Sequence, residues 1–163
     1  MHRSILEVSG EFNRVLQAAG CRTRFPSAHV LFEEQAENDG VFLVCKGKVR
    51  LGLPGLPKFD RVFAAGSLLG LPSTFGSRPY SLTAITQARS EVIHVLREDF
   101  LKLMHERPDL CREATDILGY EVRFIKSALG NRRRQLTAGN SSKSTFKSRL
   151  PSGRSPQRKT PRE

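Results

Sequence analysis

The sequence predicts a mostly β domain with flanking helices. Short segments rich in β-branched and aromatic residues follow one another between residues 21 and 96, with Gly, Pro, Asn and Asp between them. Many short strands at this spacing are typical of a barrel or a jelly-roll-like sheet. A short amphipathic segment precedes the strands, and apolar residues at helical spacing follow them.

Residues 9–19 predict the first helix. Ser9 is a suitable N-cap, Glu11 places an acid in the first turn, and Gly20 ends the helix. Its apolar face consists of Phe12, Val15 and Leu16.

Seven segments are predicted as strands from their β-branched and aromatic content: Cys21–Phe25, His29–Glu34, Val41–Lys46, Lys48–Leu53, Asp60–Ala64, Leu82–Thr86 and Glu91–Leu96. Asp39-Gly40 is a strong signal for a β-hairpin. A cupin would show the same strand pattern, but its metal ligands are clustered His and Glu residues. The four histidines here are scattered, and His94 within an apolar strand is interpreted as structural.

Helices are predicted at Arg97–His105 and, beginning with Pro108, at Asp109–Leu129. The longer helix carries two apolar stripes. The first stripe, which Glu121 interrupts, consists of Leu110, Ala114, Ile117, Phe124 and Ala128. The second stripe is called the seam, because its residues are spaced alternately four and three positions apart, as in a coiled coil. It consists of Cys111, Thr115, Leu118, Val122, Ile125 and Leu129.

One stripe is expected to pack on the β domain, and the other needs a second partner. The same helix from a second subunit is the simplest partner, with Leu118, Val122, Ile125 and Leu129 at its centre. A single wide buried face on a monomer is the alternative, and Gly119 weakens the helix by about 1 kcal/mol.

A glycine-rich segment with one arginine lies between two predicted strands. Gly66–Thr86 reads GSLLGLPSTFGSRPYSLTAIT, and Arg78 directly precedes its final strand. Backbone N–H groups and one guanidinium can converge on a phosphate in such a loop. A surface loop with one solvated arginine is the alternative interpretation.

Three segments that follow one another along the chain carry a resemblance to a known family. They are HVLFEEQAENDGVFLVCKGKVRLGL, GSLLGLPSTFGSRPYSLTA and SEVIHVLREDFLKLMHERPDL. From about His29 to Leu129 the chain resembles the effector domain of the Crp/Fnr family of bacterial transcription regulators. The resemblance implies a cyclic-nucleotide-binding-type β-roll, a double-stranded β-helix or jelly roll, followed by a long dimerisation helix. It places the phosphate-binding cassette at residues 66–80. The cassette residues singled out for ligand binding are Gly66, Ser67, Leu68, Arg78, Pro79 and Tyr80.

The cassette departs from the family pattern at two positions. Family members that bind a cyclic nucleotide begin the cassette with Gly-Glu, and the Glu accepts a hydrogen bond from the ribose; here Ser67 follows Gly66. They also follow the cassette arginine with Ser or Thr, whereas Pro79 supplies neither a hydroxyl nor an N–H. The resemblance therefore implies a cyclic nucleotide as the ligand class but a partly degenerate pocket. No other cofactor and no metal is predicted.

The positive charge is concentrated at the C-terminal end. The net charge is +11, yet residues 131–163 hold ten Lys or Arg and one acid. Their composition predicts a disordered tail, without the helix-turn-helix that family members carry there. We expect three regions: a helix and β-roll at 1–107, a dimerisation helix at 108–130 and a basic tail at 131–163. The tail is either a selected feature or a non-native end left by truncation or a frameshift.

The sequence favours a regulatory sensor domain over an enzyme. It contains no P-loop, no G-x-S-x-G motif and no cysteine paired with histidine in a catalytic pattern. Two alternatives stay open: a dimerising module that pairs with full-length regulators, and nonspecific nucleic-acid binding through the tail. Three widely spaced cysteines and no signal-peptide or membrane-spanning pattern predict free thiols and a cytoplasmic protein.

Overall fold

Eight strands form two antiparallel sheets in the computed structural model, which describes residues 7–141. The strands are β1 (Cys21–Phe25), β2 (Val30–Phe32), β3 (Gly40–Lys46), β4 (Lys48–Gly52), β5 (Arg61–Ala64), β6 (Leu68–Leu69), β7 (Thr83–Thr86) and β8 (Ser90–Leu96). One sheet has the order β1-β8-β3-β6 and the other β2-β7-β4-β5. The predicted β-roll is confirmed, and β6 is a strand that the sequence analysis did not identify.

The core lies between the sheets and under the helices. Residues 41–44 of β3 are all buried, because α3 (Arg97–Glu106) packs on β3 and β8 as well. β7 alternates between half-buried and buried positions.

The first helix, α1 (Gly10–Ala19), buries Phe12 and Leu16, and the Ser9 hydroxyl accepts a hydrogen bond from the Phe12 N–H at 3.1 Å. The predicted cap and apolar face of this helix are confirmed.

The hairpin predicted at Asp39-Gly40 is wrong. β2 pairs with β7 and β3 pairs with β8, so the chain changes sheets at this turn. Gly40 has a φ of +147°, and a Cβ there would lie 2.1 Å from the carbonyl oxygen of Val95. The glycine therefore allows β3 to begin directly against β8. An Asp-Gly pair marks a turn, but long-range packing decides which strands pair.

The cassette contains a helix that the sequence analysis did not predict, α2 (Leu71–Gly76).

The long C-terminal helix, α4 (Pro108–Ser141), continues past its predicted end at residue 130. Its Arg132 guanidinium lies 2.6 Å from the carboxylate of Glu34, which ties the extended part to the chain beyond β2. Residues 131–141, which were assigned to the basic tail, are thus part of this helix, and the disorder predicted for residues 142–163 lies outside the described part of the chain.

The two stripes of α4 differ in burial. Leu110, Ala114, Ile117 and Ala128 of the first stripe are at most 4% exposed, which confirms that this stripe packs on the domain. In the seam, Leu118, Val122 and Ile125 are half-buried and Leu129 is 40% exposed. The seam's role in a dimer stays a prediction. Within residues 7–141, no helix is long and apolar enough to cross a membrane.

Candidate functional site

The cassette turns sharply on either side of α2. Gly70 precedes this helix with a φ of +89°, and a Cβ there would lie 3.2 Å from the Gly40 carbonyl oxygen. Pro72 favours the first helical turn, where a missing N–H costs little. Ser77 ends the helix in the left-handed region, and the N–H of Arg78 donates to the Ser73 carbonyl at 3.1 Å. These turns place Arg78 at the far end of α2 from β6.

Hydrogen bonds to the Gly40 carbonyl fix the cassette on the start of β3. The Thr74 hydroxyl lies 3.0 Å from this oxygen and 2.8 Å from the Gly70 carbonyl, and Asn38 donates to Thr74 at 3.2 Å. The Tyr80 hydroxyl lies 2.8 Å from the same Gly40 oxygen. The network holds both ends of the cassette, so that the segment between them is well positioned.

Arg97, the first residue of α3, supports the C-terminal end of α2. Its Nε donates to the Thr74 carbonyl at 3.1 Å, and its guanidinium also donates to the Ser77 hydroxyl. A helix leaves its last carbonyls without internal partners, and a basic side chain is a favourable partner for them. Arg97 therefore has a structural task in the cassette, while Arg78 beside it does not.

The Arg78 side chain is exposed and forms no ion pair or side-chain hydrogen bond with any residue in the described range 7–141. It lines two cavities. The helix-side cavity, about 360 Å³ in volume, lies between the cassette and α4 and is bounded by Pro72, Ser73, Gly76, Ser81, Val122, Ile125 and Lys126. The loop-side cavity, about 350 Å³, is bounded by Gln35, Glu37, Asn38, Ser77, Pro79 and Arg97.

The helix-side cavity has the electrostatics of an anion site. Arg78 and Lys126 bring two positive charges to it, the hydroxyls of Ser73 and Ser81 add donors, and no acidic side chain lines it. Its α4 wall is apolar, since Val122 and Ile125 of the seam form it. The loop-side cavity includes the carboxyl group of Glu37, which disfavours an anion there. The helix-side cavity is therefore the better candidate for a negatively charged ligand.

The structure separates the six predicted cassette residues into two groups. Arg78 lines both cavities and Pro79 lines the loop-side cavity. Ser67 and Leu68 are buried: Ser67 bridges to Glu7, and Leu68 pairs with Leu43 of β3. Gly66 lies in the turn before them and lines neither cavity. The start of the predicted cassette is thus part of the framework around the site.

Tyr80 also belongs to the framework. It is buried, its ring stacks on Phe32 with a centroid distance of 4.1 Å, and its hydroxyl lies 2.6 Å from the Asp39 carboxylate. Burial raises the pKa of the Tyr80 hydroxyl above its usual range, and the adjacent Asp39 carboxylate raises it further. The neutral hydroxyl can donate one hydrogen bond, and the ring fills space behind the cassette.

Glu121 joins α4 to the other end of the cassette helix. Its carboxyl group is buried, and Oε1 accepts a hydrogen bond from the Gly70 N–H at 3.3 Å. Burial raises the pKa of Glu121 to about 8, and the N–H groups of Gly70 and Leu71 partly offset that rise. Oε2 has no hydrogen-bond partner in the described structure.

Sequence analysis missed Glu121 and Lys126 as residues of this region. The sequence could have indicated a buried contact of Glu121, because an acid inside an apolar stripe must either disrupt the packing or have a buried hydrogen-bond partner. Lys126 carried no such indication, since a lysine on a helix is usually solvated and its distance from Arg78 depends on the tertiary fold.

The histidines and cysteines of the described residues do not add a second site. His94 stacks on Phe42 at 4.4 Å and lies 3.3 Å from the Asp39 carboxylate, as expected for a structural residue. Cys21, Cys45 and Cys111 are free thiols, and burial raises the pKa of Cys45, which disfavours its reactive thiolate. Between residues 7 and 141, no three His, Cys, Asp or Glu side chains cluster as a metal site.

Comparisons with known proteins agree with the β-roll. The family model for the cyclic nucleotide-binding domain matches residues 22–107. The chain belongs to the cyclic nucleotide-binding domain family, as the resemblance to the Crp/Fnr effector domain predicted. Domains of this family are regulatory binding domains. A search of curated proteins finds no match to the chain.

Several solved structures share the fold. The Thermus thermophilus catabolite activator protein is 22% identical with a TM-score of 0.61, over 80% of this chain and 61% of that one. The c-di-GMP-responsive regulator CLP of Xanthomonas campestris is 16% identical with a TM-score of 0.61, over 78% and 64%. A transcriptional regulator of Thermotoga maritima is 14% identical with a TM-score of 0.61, over 72% and 94%. The chain thus spans about three fifths of the length of the first two.

Proposed function

We propose that the chain is a cytoplasmic, non-enzymatic sensor domain that binds a small anionic effector at Arg78 and transmits binding to α4. One observation carries the proposal: Arg78 and Lys126, which form no ion pair within residues 7–141, both line the 360 Å³ helix-side cavity. A phosphate between them would make charge-assisted hydrogen bonds to a guanidinium and an ammonium group. Membership of the cyclic nucleotide-binding domain family favours a nucleotide phosphate as the effector.

The proposed pocket is partly degenerate toward cyclic nucleotides. Ser67 is buried and lines neither cavity, so that the position expected to contact a ribose is not available. Pro79 supplies no donor next to Arg78, and the Tyr80 ring fills space behind the cassette. The effector is therefore held chiefly through its phosphate, and a cyclic nucleotide is expected to bind weakly.

The seam is the element that responds to the effector. Val122 and Ile125 line the helix-side cavity and also belong to the seam that we propose as a homodimer contact. A ligand in the cavity contacts the residues that a second copy of α4 would contact, so ligand binding and helix pairing are coupled by shared side chains.

Calorimetric titration with cyclic AMP, cyclic GMP and inorganic phosphate tests the proposal. Arg78→Ala should weaken binding at least about tenfold, because a charge-assisted hydrogen-bond pair contributes roughly 1.5–3 kcal/mol. Arg89→Ala, which removes an exposed arginine from the turn before β8, is the matched control and should bind as the unaltered chain does.

Two results would contradict the proposal. The first is equal affinity of the Arg78→Ala and Arg89→Ala variants for the probe that binds the unaltered chain. The second is the absence of measurable heat with all three probes.

A further inference from the structure

Glu121 is the one acidic side chain in the first stripe of α4, and it contacts the backbone of a different element. Its carboxyl group is 3% exposed, accepts the Gly70 N–H at 3.3 Å and leaves Oε2 without a partner in residues 7–141. The cassette helix α2 has no side-chain cap of its own, because Gly70 occupies the N-cap position. Glu121 therefore supplies from α4 the acceptor that α2 lacks locally.

The surroundings of Glu121 favour its neutral form. The cassette helix, Leu71–Gly76, contains no titratable side chain. Arg78 after α2 and Lys126, five residues further along α4, line the helix-side cavity, and the Arg61 guanidinium of β5 lies 5.6 Å from the Phe124 ring centre. On α4 itself, Asp116 and Arg123 are exposed. None of them forms an ion pair with Glu121, and no charged side chain within residues 7–141 contributes to the shift of its pKa. In this part of the chain the carboxyl group thus has hydrogen-bond donors from the backbone but no cation to balance a negative charge.

We infer that Glu121 is a proton-controlled latch that holds α4 on the cassette helix. When the carboxyl group carries a proton, α4 stays docked against Gly70. When it loses the proton, a negative charge without a counterion is left in an apolar contact, and the contact between α4 and α2 opens. Glu121 can control this contact because it lies at the point where α4 meets the cassette.

The latch also regulates the proposed effector site, and this second part rests on the proposed function. Val122 and Ile125, which follow Glu121 on α4, form the apolar wall of the helix-side cavity. Opening the latch moves that wall away, and an ionised Glu121 adds a negative charge beside an anionic ligand. Binding of an anion is therefore tighter when Glu121 is neutral.

Hydrogen exchange of the backbone amides tests the latch without any ligand. Protection factors for the amides of residues 70–76, apart from Pro72, are measured at pH 6 and pH 9, with the amides of β3 as an internal reference. In the unaltered chain, protection of residues 70–76 should fall at least about tenfold while β3 stays protected. Glu121→Gln cannot ionise and should show no such fall. Asp116→Asn, an exposed acid on the same helix, should behave as the unaltered chain.

The latch is wrong if protection of residues 70–76 is equal at both pH values, or if Glu121→Gln shows the same fall. A second measurement covers a Glu121→Gln variant that does not fold. In the unaltered chain labelled with carboxyl-¹³C glutamate, one carboxyl resonance should titrate with a midpoint more than one unit above all the others. Ordinary midpoints for all glutamates would overturn the latch.

Calorimetry with cyclic AMP at pH 6 and pH 9 separates the latch from the effector site, since the charge of a phosphodiester is the same at both pH values. Weaker binding of cyclic AMP at pH 9 in the unaltered chain, but not in Glu121→Gln, supports both the latch and the proposed effector site. A pH-dependent exchange step without cyclic AMP binding supports the latch and counts against the nucleotide as effector. Cyclic AMP binding that is equal at both pH values overturns the control of the site by the latch.

Discussion

The two stripes of α4 are made of similar apolar residues, yet one of them is covered far more completely than the other. The first stripe packs on the β-roll, and Leu110, Ala114, Ile117 and Ala128 are at most 4% exposed. The seam lies one residue further around the helix, half-buried beside the helix-side cavity, with Leu129 40% exposed. Helical periodicity shows which faces require a partner, whereas the tertiary fold decides whether that partner lies within the chain.

A second difference concerns polarity. The better covered stripe contains the buried acid Glu121, and the less covered stripe contains none. A carboxyl group in a packed apolar contact is costly, so the first stripe is not optimised for stability alone. Glu121 contacts the Gly70 N–H of the cassette, which supports a functional reason for this buried acid.

Adjacent alanine substitutions give the largest contrast between the stripes. Ile117→Ala removes a buried side chain under the β-roll and should lower the free energy of unfolding by about 3 kcal/mol. Leu118→Ala lies on the seam and should lower it by less than about 1 kcal/mol in the monomer while weakening association. Urea denaturation measures the first quantity and sedimentation velocity at several concentrations the second.

The opposite outcome is a Leu118→Ala variant that loses as much stability as Ile117→Ala in a sample that stays monomeric at high concentration. That outcome would mean that the β-roll covers both stripes, and the homodimer through the seam would be wrong.

The pH dependence of stability tests the effect of the buried acid in the first stripe. The folded-state pKa of Glu121 is raised to about 8, above the value of an unfolded glutamate, so folding takes up a proton. Its contribution to stability is complete below about pH 4.5 and is lost as the pH rises toward 8. Between pH 5 and pH 7 the loss should be roughly 2 kcal/mol, measured by urea denaturation at each pH.

Glu121→Gln isolates this contribution and should remove the slope. Glu91 and Asp109 act in the opposite sense, because their arginine partners hold their pKa values below the ordinary range and their contributions are lost only in more acidic solution. An equal slope in the unaltered chain and in Glu121→Gln would show that Glu121 ionises as freely when folded as when unfolded.

Much of the fold could be predicted because its signals are local. Ser9 caps α1 as its position predicts, and the strand at Cys21–Phe25 has the predicted bounds. The hairpin at Asp39-Gly40 failed since the turn signal says nothing about pairing, and the partner of β3 is β8, about fifty residues later. The end of α4 was misplaced, and no local pattern shows that Arg132, beyond the predicted end, pairs with a distant residue, Glu34.

Less of the candidate site could be predicted. The exposure of Arg78 follows from a polar loop before a strand, but the burial of Ser67 depends on a bridge to Glu7 that no local pattern encodes. Lys126 reaches the site only because α4 crosses the cassette. Glu121 was visible as an interruption of a stripe, and only the fold shows that the Gly70 N–H meets it.

Gly119→Ala should change stability least, because it alters neither stripe of α4. Gly119 lies within α4, and a Cβ there would meet no atom of residues 7–141 within 4 Å apart from its chain neighbours and its own helix backbone. Alanine should therefore raise the free energy of unfolding by about 1 kcal/mol, the usual difference in helix propensity. Urea denaturation at low protein concentration measures this gain. If the gain disappears or reverses at concentrations where the chain sediments as a dimer, the space beside Gly119 is occupied by the second subunit, and the partner helix crosses the seam at that residue. A gain that is the same at every concentration places the crossing elsewhere along the seam.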